Sequence, residues 1–334
     1  MAEASSVTEE ASPPLEGLEL QRQVQAAYAR IGEHVRRTPL QASPSLSQVS
    51  EGEVFLKLEN FQVTGSFKVR GSMNKILSLT PEQRAAGVVT ASSGNHGAGV
   101  AYSVQRHGGR AVIFVPEGAS RSKMEAIRGL GAEVRVHGHD SVITETYARE
   151  WAQEAGGVYV SPYNDPLVVA GQGTVGLELA QQLPDLDSVI IALGGGGLTS
   201  GIAGYLKALR PEIDVVAASP ANAPVMHESV HAGRILPVES LPTLSDGTAG
   251  GVEEGSITFP LCQDHVDHFV LATEEEIRGA MRWIIGKHHM LVEGAAGVAV
   301  AALLKEPQRY AGRKVVVLLC GANVGMETLA EVVS

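Results

Sequence analysis

The chain has 334 residues, with 26 lysines and arginines against 37 aspartates and glutamates, a formal charge of −11. That sign disfavours nucleic acid or an anionic membrane surface as a partner, because long-range electrostatics would oppose the encounter. Hydrophobic residues at 44 % and charged residues at 19 % are a globular composition, and no apolar run reaches the roughly 18 residues of a membrane-span candidate.

Residues 1–15, MAEASSVTEEASPPL, lack the basic and apolar regions of a signal peptide and read as a disordered tail. Two cysteines, Cys262 and Cys320, are too few for a disulfide framework, so a cytoplasmic location is expected. Leu20, Val24, Ala27, Ile31 and Val35 then recur at helical spacing. Short β-rich runs follow at Val54–Leu58, Gly87–Ala91, Ala111–Val115, Gly157–Val160, Ser188–Leu193, Asp214–Ala218 and Lys314–Leu319. Helix-length stretches such as Ser66–Leu79, Ser141–Glu154 and Gly173–Leu183 lie between them. Strands alternating with helices predict βαβ units and an α/β fold with mainly parallel sheets. VIIAL and KVVVLL are apolar throughout, as expected of strands covered by helices on both faces. Breaks near Pro81 and at Ser161–Pro166 bracket a middle block, which predicts two α/β domains: a large one from 16–80 and 162–334, and a smaller one from 81–161 inserted in it.

Glycine is in excess, at 38 residues or about 11 % against a usual 7 % or so. Gly194, Gly195, Gly196 and Gly197 directly follow the strand SVIIAL and precede the helical LTSGIAGYLKAL. Consecutive N–H groups ahead of a helix N-terminus suit a phosphate; the plain alternative is a flexible turn. The loop is neither GxGxxG nor GxxxxGK[ST]. Lys68, in TGSFKVRG after the strand VFLKL, is either a solvated helix residue or an amine for Schiff-base and general-base chemistry. Ser92, Ser93, Gly94, Asn95 and His96 follow the strand GVVTA, where Ser and Asn are ordinary helix caps but also offer hydroxyls, an amide and free N–H groups to a carboxylate. His96 could equally be a satisfied buried histidine. Cys320 ends the strand KVVVLL, where a thiol is commonly a small apolar residue. All four motifs fall at strand C-termini, where α/β sheets place ligands.

In this order GSFKVRG, SSGNHG, GGGGL and LLCGANV resemble the fold-type II pyridoxal-phosphate enzymes, the tryptophan synthase β-like fold. AGQGTVGLEL and LVEGAAGVAVAAL extend the similarity to the serine/threonine dehydratase and serine racemase family, from about Leu20 to the C-terminus. The resemblance implies pyridoxal 5'-phosphate as cofactor and Lys68 as its Schiff-base lysine. It implies Phe67 beside the cofactor ring, Asn95 on its hydroxyl, Gly194, Gly195, Gly196, Gly197 and Leu198 on its phosphate, and Cys320 at its pyridine nitrogen. Ser92 to His96 would take the substrate carboxylate and close with a mobile small domain. The implied reaction is dehydration of L-threonine, L-serine or a related 3-hydroxy amino acid to a 2-oxo acid and ammonia, with Lys68 taking the Cα proton. Ser93 stands where racemases carry serine, so amino-acid racemisation by Lys68 and Ser93 on opposite faces is the alternative. A non-catalytic binding protein on the same fold would have no need of Lys68. Ser219 and Val225 replace the carboxylates of the racemase cation site, so no metal is expected. By the same comparison Tyr163 is expected to reshape the pocket near the substrate side chain, a homodimer is implied, and the chain end at Ser334 leads us to expect no appended regulatory module.

Overall fold

In the computed structural model, residues 17–139 and 141–334 are described, so the expected disordered tail lies outside the described residues. The strands are β1 (Leu40–Ala42), β2 (Glu53–Lys57), β3 (Val88–Ala91), β4 (Ala111–Val115), β5 (Glu133–Val136), β6 (Val158–Tyr159), β7 (Ser188–Ala192), β8 (Asp214–Pro220), β9 (His268–Ala272) and β10 (Lys314–Leu318). Among the described residues they form a six-stranded sheet, β1-β2-β10-β7-β8-β9, and a four-stranded sheet, β5-β4-β3-β6. Every neighbouring pair is parallel except β1 with β2. The smaller sheet is built wholly from chain between residues 88 and 159.

The strands that read as unbroken apolar runs are the covered ones. All five residues of β7 and of β4 are buried, as are all four of β3. The three strands without such a run, β1, β5 and β9, all lie at sheet edges. β5 (EVRV) has no buried residue, so no apolar pattern is imposed on it.

The helix expected from Gly173 begins at Pro166 instead and runs to Gln182. Asp165 caps it, its carboxylate accepting the N–H groups of Leu167 at 2.8 Å and Val168 at 3.2 Å, and proline is tolerated in the first turn. Its internal glycines look like helix breakers but serve close packing. A Cβ on Gly171 would lie 2.6 Å from the Cα of Gly71 on the helix Lys68–Ser78, and one on Gly173 would lie 2.8 Å from the carbonyl of Gly201 on the helix Gly197–Leu209.

Beneath the helix Lys68–Ser78 is a buried ionic network. Arg70 pairs with Glu59 and Glu178, each at 2.8 Å, and Lys57 reaches Glu178 at 2.5 Å; these side chains are 0–1 % exposed. Two further contacts tie the loops that leave β2 and β10. Phe67 N–H donates to the Cys320 carbonyl at 3.0 Å, and Ala322 N–H donates to the Gly65 carbonyl at 2.9 Å. Lys68 and Cys320 therefore belong to one stitched unit of backbone.

Candidate active site

The loops after β2, β3, β7 and β10 open on one cavity of about 680 Å³, within the roughly 300–1,000 Å³ usual for small-molecule sites. Its wall includes Phe67, Lys68, Ser92, Ser93, Gly94, Asn95, His96, Gly194, Gly195, Gly196, Gly197, Leu198 and Cys320. Every residue singled out from the four motifs is thus brought together.

Lys68 opens its helix directly, with Phe67 in the capping position. Its Nζ donates to the Pro162 carbonyl at 3.1 Å and makes no ion pair among the described residues. Burial lowers its pKa to about 8, against the attraction of Glu145 and Glu293. An ammonium held away from water without a bonded anion loses its stabilisation, so the free amine is accessible near neutrality.

The glycine loop supplies the opposite polarity. Gly196 sits at φ 86°, a left-handed conformation that glycine adopts without cost. A Cβ on Gly195 would lie 2.6 Å from the Tyr163 ring, so the loop passes closely under that side chain. The N–H groups of Gly195, Gly196, Gly197, Leu198 and Thr199 form no hydrogen bond to another described residue. Five free donors at the start of a 13-residue helix make an anion cradle.

The capping residue of the helix Asn95–His107 is Gly94, with no side-chain cap bond, which leaves the Ser93 hydroxyl to the cavity. Asn95 donates through Nδ2 to both carboxylate oxygens of Glu293, at 2.9 and 2.8 Å, and accepts from Asn323 at 2.7 Å. The His96 ring is buried, and burial together with the charge of Lys68 lowers its pKa to about 3. It is neutral, with Nε2 donating to the Val160 carbonyl at 3.1 Å and Nδ1 unpartnered. Burial, and then Glu293, raise the Cys320 thiol well above its ordinary value, so it is uncharged.

Glu293 and Glu145 also line the cavity, and the motif reading gave neither a role. Glu293 carries a sequence signal: it is the one charged residue before the helix Gly294–Lys305, whose first eleven residues carry no charge. A carboxylate heading so apolar a helix must enter the interior with it. Burial raises its pKa, opposed by the Asn95 bonds. Ser219 and Val225 are buried outside the cavity wall, and the Ser219 hydroxyl donates to the Leu193 carbonyl at 2.9 Å.

The model of the family described as "Pyridoxal-phosphate dependent enzyme" matches residues 31–321. The chain belongs to that family. It is 42 % identical over 302 residues to an L-threonine ammonia-lyase of Thermotoga maritima, covering 90 % of this chain and 74 % of the relative. The solved structure of maize serine racemase superposes with a TM-score of 0.88 at 35 % identity, covering 93 % of this chain and 95 % of that one. A processed threonine deaminase isoform 2 of Solanum lycopersicum gives 0.89 at 32 % identity, over 96 % and 94 %. The fold is accordingly that of the fold-type II enzymes. The residues of this pyridoxal-phosphate enzyme fit the cofactor on their own terms: a buried amine of lowered pKa for the aldehyde, a cradle of free N–H groups for the phosphate, and a neutral thiol that can lie against a ring nitrogen.

Proposed function

We propose that this enzyme is a dehydratase, an ammonia-lyase that converts L-threonine, L-serine or a related 3-hydroxy amino acid to a 2-oxo acid and ammonia. The observation that carries the reading is the shared cavity of Lys68, the free N–H cradle of Gly195 to Thr199 and the Ser92–Asn95 loop. The names of the ammonia-lyase and deaminase relatives support the same reaction class. When bound, pyridoxal phosphate supplies an electron sink for charge developing at the substrate Cα. Lys68 would hold the cofactor through Nζ, Gly194 to Gly197 and Leu198 would hold its phosphate, Phe67 would pack beside its ring, and Asn95 would contact its hydroxyl. Cys320 would meet the ring nitrogen as a neutral thiol, which could not hold that nitrogen protonated as a carboxylate would, favouring prompt loss of a β-substituent.

Ser92, Ser93, Gly94, Asn95 and His96 bind and orient the substrate carboxylate. Lys68 Nζ would take the Cα proton, and its pKa of about 8 keeps part of that amine unprotonated near neutral pH. The β-hydroxyl then takes up a proton and departs as water, and a second water hydrolyses the released enamine to the oxo acid and ammonia. A second reading, racemisation, is favoured by one observation: Ser93 lines the same cavity as Lys68 and could return a proton to the other face of Cα. We also propose that residues 81–161 form a small mobile domain closing on the substrate, and that the enzyme is a cytoplasmic homodimer.

The test is 2-oxo acid and ammonia release from L-threonine and L-serine, with Lys68→Ala as control and chiral analysis of recovered serine. Stoichiometric oxo acid and ammonia that vanish in Lys68→Ala support dehydration. Inversion of serine without oxo acid overturns it in favour of racemisation. Light scattering and limited proteolysis with and without substrate read the dimer and the small domain.

A further inference from the structure

The cavity holds a carboxylate whose charge nothing in the proposed reaction uses. Glu145 reaches the cavity wall from the helix Ser141–Glu154, which packs on the small sheet. Its carboxylate forms no hydrogen bond or ion pair with another described residue. The cationic groups around it are already committed. Arg149, one turn further along the same helix, pairs with Glu253 at 2.7 Å and lies 4.6 Å over the Tyr159 ring. Lys123 pairs with Asp246 at 2.5 Å, and Lys68 is taken by the cofactor under the proposed function. Lys68 and Lys123 are the lysines of the cavity wall, and no arginine lines it among the described residues.

From this arrangement we infer that Glu145 is a specificity-determining residue, selecting 3-hydroxy amino acids whose side chain ends in an ammonium group. The inference rests on the reading of the cavity as an amino-acid site. Glu145 lines the cavity with no bonded cation among the described residues, and a partly buried carboxylate without a partner is costly until a cation arrives. Its own titration agrees: burial, and then the neighbouring Glu253, raise its pKa to about 7, with Arg149 and Lys68 opposing. An incoming ammonium supplies the missing counter-charge. A distal carboxylate, as in 3-hydroxyaspartate, would meet Glu145 with no uncommitted cation beside it. A methyl group, as in threonine, is tolerated but leaves the charge unmet.

Binding and turnover separate this inference from the reaction it builds on. Calorimetry on the cofactor-loaded enzyme compares 2,4-diaminobutanoate with 2-aminobutanoate, neither of which carries a β-hydroxyl to eliminate. The diamino acid should bind at least tenfold tighter in the wild type; that ratio should collapse to within threefold in Glu145→Gln and be largely kept in Glu145→Asp. Oxo acid release from 2,4-diamino-3-hydroxybutanoate, L-threonine and 3-hydroxyaspartate should give a kcat/KM ratio of diamino substrate to threonine that falls at least tenfold in Glu145→Gln. Equal binding of the two analogues, or a wild-type preference for 3-hydroxyaspartate, overturns the inference even if threonine is dehydrated. A binding preference that follows the Glu145 charge without oxo acid from any substrate leaves it standing and removes the dehydratase reading instead.

Discussion

Replacing Arg70 by methionine should destabilise the fold by about 3–5 kcal/mol, the usual cost of leaving a buried charge without its partner. The magnitude follows from the local charge balance. Lys57 and Arg70 face Glu59 and Glu178 in a group that is 0–1 % exposed, so the network is neutral. Arg70 alone makes two bonds to Glu59, both 2.8 Å, two to Glu178 at 2.8 and 3.1 Å, and one each to Thr174 and the Arg36 carbonyl at 3.1 and 3.2 Å. Methionine matches the bulk but leaves Lys57 to serve both carboxylates. Adding Glu59→Gln restores neutrality, because Lys57 and Glu178 remain paired, so the double variant should recover about 1–3 kcal/mol of the loss, the size of coupling expected between residues in one network. Equilibrium urea unfolding, followed by circular dichroism and by tryptophan fluorescence with coincident transitions required, gives both numbers. A loss below about 1 kcal/mol for Arg70→Met, or a double variant no more stable than the single, would refute the reasoning. The pH dependence has a definite sign. Burial alone would raise the Glu59 carboxyl, but the charge and hydrogen bonds of Arg70 outweigh it and hold the pKa below the ordinary value. Its stabilisation is therefore present above the unfolded carboxyl pKa of about 4.3 and is lost as pH falls through the lower folded value. Without Arg70 the acid transition should move to higher pH.

The remaining predictions concern the cavity and one helix end. Capture of pyridoxal phosphate by the apoenzyme should accelerate as pH rises through about 8 and then level off, following deprotonation of Lys68; a stopped-flow midpoint above 10 would contradict the burial effect. Gly196→Ala forces a φ of 86° on a residue with a Cβ, which would also lie 2.9 Å from Thr258 Cβ and 3.0 Å from Cys262 Sγ. The left-handed strain alone is about 1–2 kcal/mol, so cofactor affinity measured by equilibrium dialysis should fall at least tenfold. Asn95→Ala removes both hydrogen bonds to Glu293 and should push that carboxyl further up, moving the pH titration of the bound cofactor's absorbance; an unchanged titration would count against the contact. Thr273→Ala removes the cap of the helix Glu274–His288, where the hydroxyl accepts Glu276 N–H at 3.3 Å and Glu276 accepts Thr273 N–H at 2.7 Å. It should cost about 1 kcal/mol, read as a small drop in melting temperature with activity retained.

What could be read from the residues, and what could not, divides along a physical line. β4, β7 and β10 were legible because coverage on both faces demands an apolar residue at every position, and edge strands such as β5 were not because nothing covers them. The four motif loops were legible because ligand-facing backbone needs glycine, serine or asparagine at strand ends, a pattern visible in one dimension. The carboxylates were not. Glu145 and Glu178 are individually indistinguishable from surface glutamates, Glu293 is marked only by the uncharged helix it heads, and the fold alone shows which partner each one meets. Among the described residues Glu178 meets two cations, Glu293 meets the Asn95 amide, and the Glu145 carboxylate meets none. The same contrast separates two lysines. Lys57 and Lys68 both follow the chain out of one strand into its site loop, and the Lys57 side chain is wholly buried. Yet Lys57 has Glu178 at 2.5 Å, the Thr38 carbonyl at 2.9 Å and Gln182 at 3.0 Å, acceptors that satisfy all three of its protons. Lys68 has a single carbonyl at 3.1 Å. Burial lowers the pKa of both amines, but only at Lys68 are partners withheld, so the reactive lysine is marked by the hydrogen bonds that its surroundings do not provide.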